Sequence, residues 1–176
     1  MTYPAIKLVV PKELKDVPNG KLPSTMLFKV KTGGVLWRWA AVSFNLMCVE
    51  ARKNGIKFKN IGDYRPYERQ LTMFKERYSL KDEGRVPQVT RMFNGKKYFL
   101  KKGKSPSASP GTSNHGLGLA IDLDVQDQKV FNWLCNNAPK YGFYLQGSDS
   151  KSPEWEAWHW QYCAGDKLPD VVRKLS

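Results

Sequence analysis

The chain has two histidines, His115 and His159, and each stands close to a carboxylate. The first lies in Ser113-Asn114-His115-Gly116-Leu117-Gly118-Leu119-Ala120-Ile121-Asp122, the second in Glu156-Ala157-Trp158-His159. Two imidazoles and one carboxylate suffice to hold a zinc ion with one coordination position open to water, and a further carboxylate beside them can take a proton from that water. We therefore expect one Zn2+ held by His115, Asp122 and His159, and hydrolysis as the chemistry. Gly116 and Gly118 are expected to let the chain turn tightly and approach the metal, while Ala120 keeps bulk out of the cleft. Glu156, three residues before His159, is expected to act as general base and then as general acid to a leaving amine. Glu154, two residues further away, is its competitor. Arg65 follows an aromatic-bearing strand and precedes a helix, a place from which a guanidinium could clamp a substrate carboxylate or a developing oxyanion.

These groups must be brought together by regular elements. Residues 119–125 alternate, with Ala120, Asp122 and Asp124 on one face and Ile121, Leu123 and Val125 on the other, as in a strand with one buried face. Residues 158–162 alternate again, with His159 and Gln161 opposite Trp158, Trp160 and Tyr162. Side by side, the two strands would converge His159 and Asp122 on one point. Helices are expected over 35–53, closed by Asn54-Gly55, over 66–78 with Pro66 in its first turn, and over 128–137. Further strands are expected at 58–64 and 141–144. Residues 1–34, rich in Pro, Lys and Gly with β-like runs at 6–10 and 26–30, read as an irregular segment wrapping the core. Residues 81–111 read as a basic loop insertion carrying a hairpin at 90–100 around Asn94-Gly95, of the length that forms lids or binding loops.

At 176 residues the chain fits a single domain able to bury its own core, so a metal is free to be functional rather than structural. Cys48, Cys135 and Cys163 are odd in number, widely spaced and set among apolar residues, which suits core thiols better than a disulfide framework. No segment reads as a signal peptide or membrane span, so the expectation is a protein made soluble in the cytoplasm. A net charge of +13 and a pI near 9.7 point to a polyanionic partner: nucleic acid, anionic membrane or an acidic wall polymer. Apart from one patch at Lys96, Lys97, Lys101, Lys102 and Lys104 the lysines are dispersed, and no nucleic-acid recognition motif is present.

The pattern Ser113-x-His115-x-x-Gly118-x-Ala120-x-Asp122 followed by Glu156-x-Trp158-His159 resembles the zinc D-alanyl-D-alanine carboxypeptidase family. That family groups with vancomycin-resistance dipeptidases, bacteriophage L-alanyl-D-glutamate endolysins and the zinc-binding domain of hedgehog proteins. The resemblance extends to Tyr64-Arg65-Pro66-Tyr67-Glu68-Arg69-Gln70 and to Trp133-Leu134-x-x-Asn137-Ala138-x-x-Tyr141-Gly142-Phe143, covering roughly residues 58–162. It implies that His115, Asp122 and His159 ligate zinc, that Glu156 is the catalytic base and that Arg65 stabilises the oxyanion or a substrate carboxylate. It also implies substrate contacts from Ser113, Gln70 and Trp158. The implied fold is α+β, a small antiparallel sheet carrying the ligands with helices packed on one side. Two positions depart from the family pattern: Ala157 stands where many members have proline, and Asp63 where glycine often precedes the tyrosine-arginine pair.

The expected function is a zinc peptidase acting on peptidoglycan stem peptides, either a D,D-carboxypeptidase or an L-Ala-D-Glu endopeptidase, as a phage lysin or its catalytic part. It is expected to work as a monomer on peptidoglycan and anionic wall polymers, with no nucleic acid and no membrane span. The competing reading is a non-catalytic, hedgehog-like zinc-binding interaction domain, against which the presence of Glu156 and Arg65 argues.

Overall fold

The computed structural model describes residues 6–146 and 155–174. In chain order the elements are β1 (Leu27–Lys29), β2 (Val35–Trp37), α1 (Arg38–Lys53), β3 (Asn60–Gly62), α2 (Tyr67–Arg77), β4 (Tyr78–Ser79), β5 (Thr90–Phe93) and β6 (Lys96–Leu100). They continue with β7 (Ala120–Leu123), α3 (Gln128–Asn137), β8 (Phe143–Leu145), β9 (His159–Tyr162) and α4 (Asp170–Arg173). The architecture is α+β, as the family resemblance implied.

The central sheet has the order β3-β7-β9-β8, with every neighbouring pair antiparallel. Its register sets Ala120 opposite Gln161, Ile121 opposite Trp160 and Asp122 opposite His159. Period-2 alternation then separates two faces. Ile121, Leu123, Trp160 and Tyr162 join the main core with Phe44 of α1 and Phe131 and Leu134 of α3, while Asp122 and His159 share the other face. The helices of this core thus cover one side of the sheet and leave the other for chemistry.

Helix α1 forms because Ala40, Ala41, Phe44, Met47, Cys48 and Ala51 recur at helical spacing and are all buried. Gly55, at φ +72°, lies just beyond its end. It begins at Arg38 rather than at residue 35. Val35–Trp37 pairs instead with Leu27–Lys29, because Gly33 and Gly34, both at φ +86°, reverse the chain between the two strands. Helix α2 starts after Pro66, and α3 runs over the expected residues with Asp127 accepting a hydrogen bond from the Lys129 N–H as its N-cap. The expected strands shrink to Asn60–Gly62 and Phe143–Leu145, and residues 6–10 form no strand.

The N-terminal segment is irregular but structural. Leu14, Leu22 and Val30 are buried in the main core, and Glu13 binds both Trp37 Nε1 and the Arg38 guanidinium. Residues 81–111 are more ordered than a loop. The hairpin β5-β6 turns at Asn94 and Gly95, whose φ values of 48° and 70° suit a two-residue turn, and β6 also pairs with β4. Phe74 of α2 stacks on Tyr78 and meets Phe93 and Tyr98 edge-on, so this small sheet has its own apolar cluster. Burying Phe74 alone contributes about 1.5–3 kcal/mol. Cys48 and Cys163 are buried and Cys135 half-buried, all three free, and burial pushes the Cys48 and Cys163 thiols up to about 12. No helix among the described residues is long and apolar enough to cross a membrane.

Candidate metal centre and active site

His115 sits in a single 3-10 turn, Asn114–Leu117, held from three sides. The Gly20 N–H donates to Gly116 O at 2.7 Å, Asn19 Nδ2 donates to Ser113 O at 2.8 Å, and the Arg65 N–H donates to His115 O at 3.0 Å. The turn ends at Gly118, φ +65°, where a Cβ would stand 2.6 Å from the Trp37 backbone nitrogen. At Gly116 a Cβ would lie 2.0 Å from Asn19 Oδ1. The tight turn expected at these glycines is present, and they also let it pack against the N-terminal segment and β2.

The ring of His115 is oriented by Nδ1, which donates to the backbone carbonyl of Asp63 at 2.9 Å. This fixes the tautomer and leaves the Nε2 lone pair facing inward. His115 Nε2 then lies 3.2 Å from His159 Nδ1 and 3.3 Å from Asp122 Oδ1, and His159 Nδ1 lies 2.9 Å from Asp122 Oδ1. Ligand atoms at about 2.0–2.1 Å from a tetrahedral zinc stand roughly 3.3 Å apart. The three atoms form a triangle of nearly that edge, and the side chains of His115 and His159 are almost wholly buried. The donor set, two imidazoles and a carboxylate with an oriented tautomer, therefore fits zinc.

The carboxylate is also accommodated from the neighbouring strand. Gly62 is the register partner of Asp122, and a Cβ there would stand 2.7 Å from Asp122 Oδ2. Burial alone would raise the Asp122 carboxyl, but the neighbouring imidazoles of His115 and His159 outweigh burial and hold it well below the usual carboxylate range. Burial pushes His115 the other way for a base, lowering it and favouring the neutral ring a metal needs.

A cleft of about 320 Å³ opens on this triangle, walled by Arg65, Arg77, Ser113, Asn114, Glu156 and Trp158. Burial raises Glu156 above its ordinary value despite the nearby His159, which suits a proton acceptor that must later return the proton. Arg65 places Nη2 3.9 Å from Asp122 Oδ2, and its Nη1 donates to Gln70 Oε1 at 2.9 Å. Burial lowers this guanidinium, opposed by Asp122 and reinforced by Arg69 and Arg77.

The structure thus brings His115, Asp122, His159, Glu156, Arg65, Ser113 and Trp158 to one cleft. Trp158 lies outside β9, 41% exposed, rather than on the apolar face with Trp160. Gln70, expected to contact substrate, is 2% exposed, and its amide accepts from Arg65 Nη1 and donates to Ala108 O at 2.7 Å, so it also holds Arg65 in place. Glu154 lies outside the described residues. Sequence reasoning missed Asp63, which acts through its backbone carbonyl while its carboxylate accepts from the Val35 N–H and Asn60 Nδ2. It also missed Arg77, whose Nη1 donates to Pro106 O at 3.1 Å and so ties α2 to the segment that walls the cleft.

The model of the VanY D-alanyl-D-alanine carboxypeptidase family matches residues 35–165. YodJ of Bacillus subtilis (strain 168) is 30% identical over 149 residues, 76% of this chain and 48% of that protein. A D-alanyl-D-alanine carboxypeptidase of Enterococcus faecalis is 34% identical over 64 residues, 31% of this chain and 24% of that protein. The chain therefore spans about half the length of YodJ, and its match in the enterococcal enzyme about a quarter of that protein. Among solved structures, the LdcB LD-carboxypeptidase superposes with a TM-score of 0.62 at 22% identity, covering 99% of this chain and 89% of that one. A glutamate-to-alanine variant of the vancomycin-resistance D,D-pentapeptidase VanY in complex with Zn(II) gives 0.59 at 21%, covering 96% and 91%. These two likenesses show a shared fold. Because the family model matches well over half of its length, the chain belongs to the VanY D-alanyl-D-alanine carboxypeptidase family.

Proposed function

We propose that the chain is a zinc peptidase that hydrolyses peptide bonds in bacterial peptidoglycan stem peptides, with removal of a terminal D-alanine as its reaction. The observation that carries this reading is the triangle of His115 Nε2, His159 Nδ1 and Asp122 Oδ1, flanked in one cleft by Glu156 and Arg65. A zinc ion held by these three side chains would supply an acidified water, with a pKa of about 7, and a polarised carbonyl. Glu156 takes the proton of the attacking water and returns it to the departing amine. Arg65, aimed by Gln70, donates to the oxygen on which negative charge develops. Ser113 and Trp158 line the walls against which the substrate lies. Membership of the family supports the substrate class, and the zinc complex of VanY supports the choice of metal.

One chain supplies the whole ligand set, and we read the working form as a monomer. The excess of cations, +13, suits work on a wall rich in carboxylates and phosphates, the setting in which a bacteriophage lysin acts. Mass spectrometry of muropeptides after digestion tests the reaction. Loss of one terminal alanine is expected; release of the stem after its first residue would make the chain an endopeptidase. In parallel, Glu156→Gln should keep one zinc per chain by metal analysis while turnover falls about 100- to 10,000-fold. A zinc-loaded Glu156→Gln chain with undiminished hydrolysis would remove Glu156 from the chemistry. A zinc-loaded unaltered chain inert on every muropeptide would favour the interaction-domain reading.

A further inference from the structure

The cleft does not end at Arg65. Beyond it lies a second recess of about 510 Å³, sharing Arg65, Met73, Arg77 and Asp122 with the metal cleft and adding Arg69 and Asp63, whose carboxylate is engaged by the Val35 N–H and Asn60 Nδ2. Arg69, Met73 and Arg77 follow one another at intervals of four along α2, so they form one stripe of the helix facing the cleft. Three guanidinium groups therefore gather at this end. Among the described residues, no carboxylate forms an ion pair with Arg69 or Arg77, and Arg69 is exposed. Among the described residues Asp122 is the one acid in ion-pair contact with Arg65, and its Oδ1 is turned toward the two histidines. Arg77 is steadied by its hydrogen bond to Pro106 O, and Arg69 makes no side-chain hydrogen bond among those described. Like charges held together in this way repel, and an anion entering the recess relieves that repulsion.

The direction of the substrate follows from the proposed chemistry, on which this step rests. Glu156 lines the metal cleft but not the second recess. A leaving amine must lie within reach of Glu156, so the leaving half of the substrate occupies the Glu156 and Trp158 end. The acyl half then runs past Arg65. We infer that Arg69, which lines the second recess and not the metal cleft, forms a carboxylate-binding subsite for the acyl side of the substrate, selecting peptides that carry a free carboxylate on the residues preceding the cleaved bond. Arginine suits this task because its planar fork meets a carboxylate with two parallel hydrogen bonds.

The test uses two synthetic pentapeptides ending in D-Ala-D-Ala, identical except that the γ-linked D-glutamate carries its free α-carboxylate in one and the α-amide in the other. Calorimetry on the zinc-loaded Glu156→Gln chain measures binding without turnover. The carboxylate peptide is expected to bind about tenfold more tightly, with the advantage shrinking as salt rises. Arg69→Gln in the same background should cut that advantage to less than threefold, and Arg69→Lys should restore part of it. Equal binding of the two peptides, or an advantage unchanged by Arg69→Gln, overturns the subsite. Hydrolysis of both peptides by the unaltered chain is followed alongside. Should neither be cut while the Arg69-dependent preference persists, the peptidase reading falls and the subsite stands.

Discussion

Gly62 and Asp122 face each other across two antiparallel strands so closely that the carboxylate occupies the space where a side chain on residue 62 would begin. A Cβ at Gly62 would stand 2.7 Å from Asp122 Oδ2, while the backbone at Gly62 lies outside the left-handed region. Alanine there should therefore move the carboxylate rather than strain the chain. Gly62→Ala is expected to weaken zinc binding about 10- to 100-fold, the usual cost of disturbing a group that orients a ligand, with little change in the melting temperature of the metal-free protein. Competition with a chromophoric chelator and a thermal melt separate the two effects. Gly118→Ala is the contrasting case: its Cβ would meet the Trp37 backbone at 2.6 Å from a residue at φ +65°. It should destabilise the fold by more than about 1 kcal/mol.

Gln70 ties Arg65 to the segment that walls the cleft, by accepting from Arg65 Nη1 and donating to Ala108 O. Gln70→Ala leaves the guanidinium free to swing and the part-buried Ala108 carbonyl without its donor. Turnover should fall about 10- to 100-fold with KM changed far less, since the oxyanion is met mainly in the transition state. The loss of this part-buried hydrogen bond should cost about 0.5–1.5 kcal/mol in unfolding free energy. Zinc content should be unaffected. Steady-state kinetics and denaturant unfolding read both, and an unchanged turnover would detach Gln70 from the positioning of Arg65.

The acid limb of the pH profile should report Glu156. As general base it must be ionised, and burial raises its pKa above the ordinary 4.5. The ratio kcat/KM should fall tenfold per pH unit below a midpoint that lies above 4.5. Protons also compete for the metal, since His115 and His159 must be neutral to bind it. Burial lowers His115, which delays that competition as pH falls. Bound zinc measured at each pH tells the two apart: activity lost with zinc retained belongs to Glu156.

Most of the site was legible because its parts are short local patterns. The alternation over Ala120–Leu123 and His159–Tyr162, joined as neighbouring antiparallel strands, is sufficient to bring Asp122 and His159 together. The Asn94-Gly95 turn and α3 were likewise written in a few adjacent residues. What escaped was long-range. Nothing in the sequence marks the backbone carbonyl of Asp63 as the acceptor that orients His115, because a carbonyl is present at every residue. Gln70 sits in a motif that names it without saying whether it meets substrate or Arg65. Residues 35–37 carry apolar residues that continue the α1 pattern, and pairing with β1 takes them into a strand.

Zinc should stabilise the fold without being required for it. The main core of Phe44, Phe143, Trp160 and Tyr162 lies on the face of the sheet opposite Asp122 and His159, so it stays packed when the metal is withdrawn. In the metal-free chain, however, His115 is buried and its pKa is lowered, so the unfolded state binds its proton more readily. Stability should therefore hold above pH 6.5, the ordinary value, and decline as pH falls from there toward the lower folded-state value. Asp122, held below its ordinary 3.8, acts in the same direction, losing its contribution as pH falls through its depressed value. Bound zinc at 1,000 times its dissociation constant adds about 4 kcal/mol at neutral pH. This addition should fade as pH falls and protons compete with the metal for its ligands, so melts with zinc and with chelator should converge as pH drops. His115→Ala should abolish the zinc-dependent rise at every pH. A metal-dependent rise that survived in His115→Ala would place the ion elsewhere in the molecule.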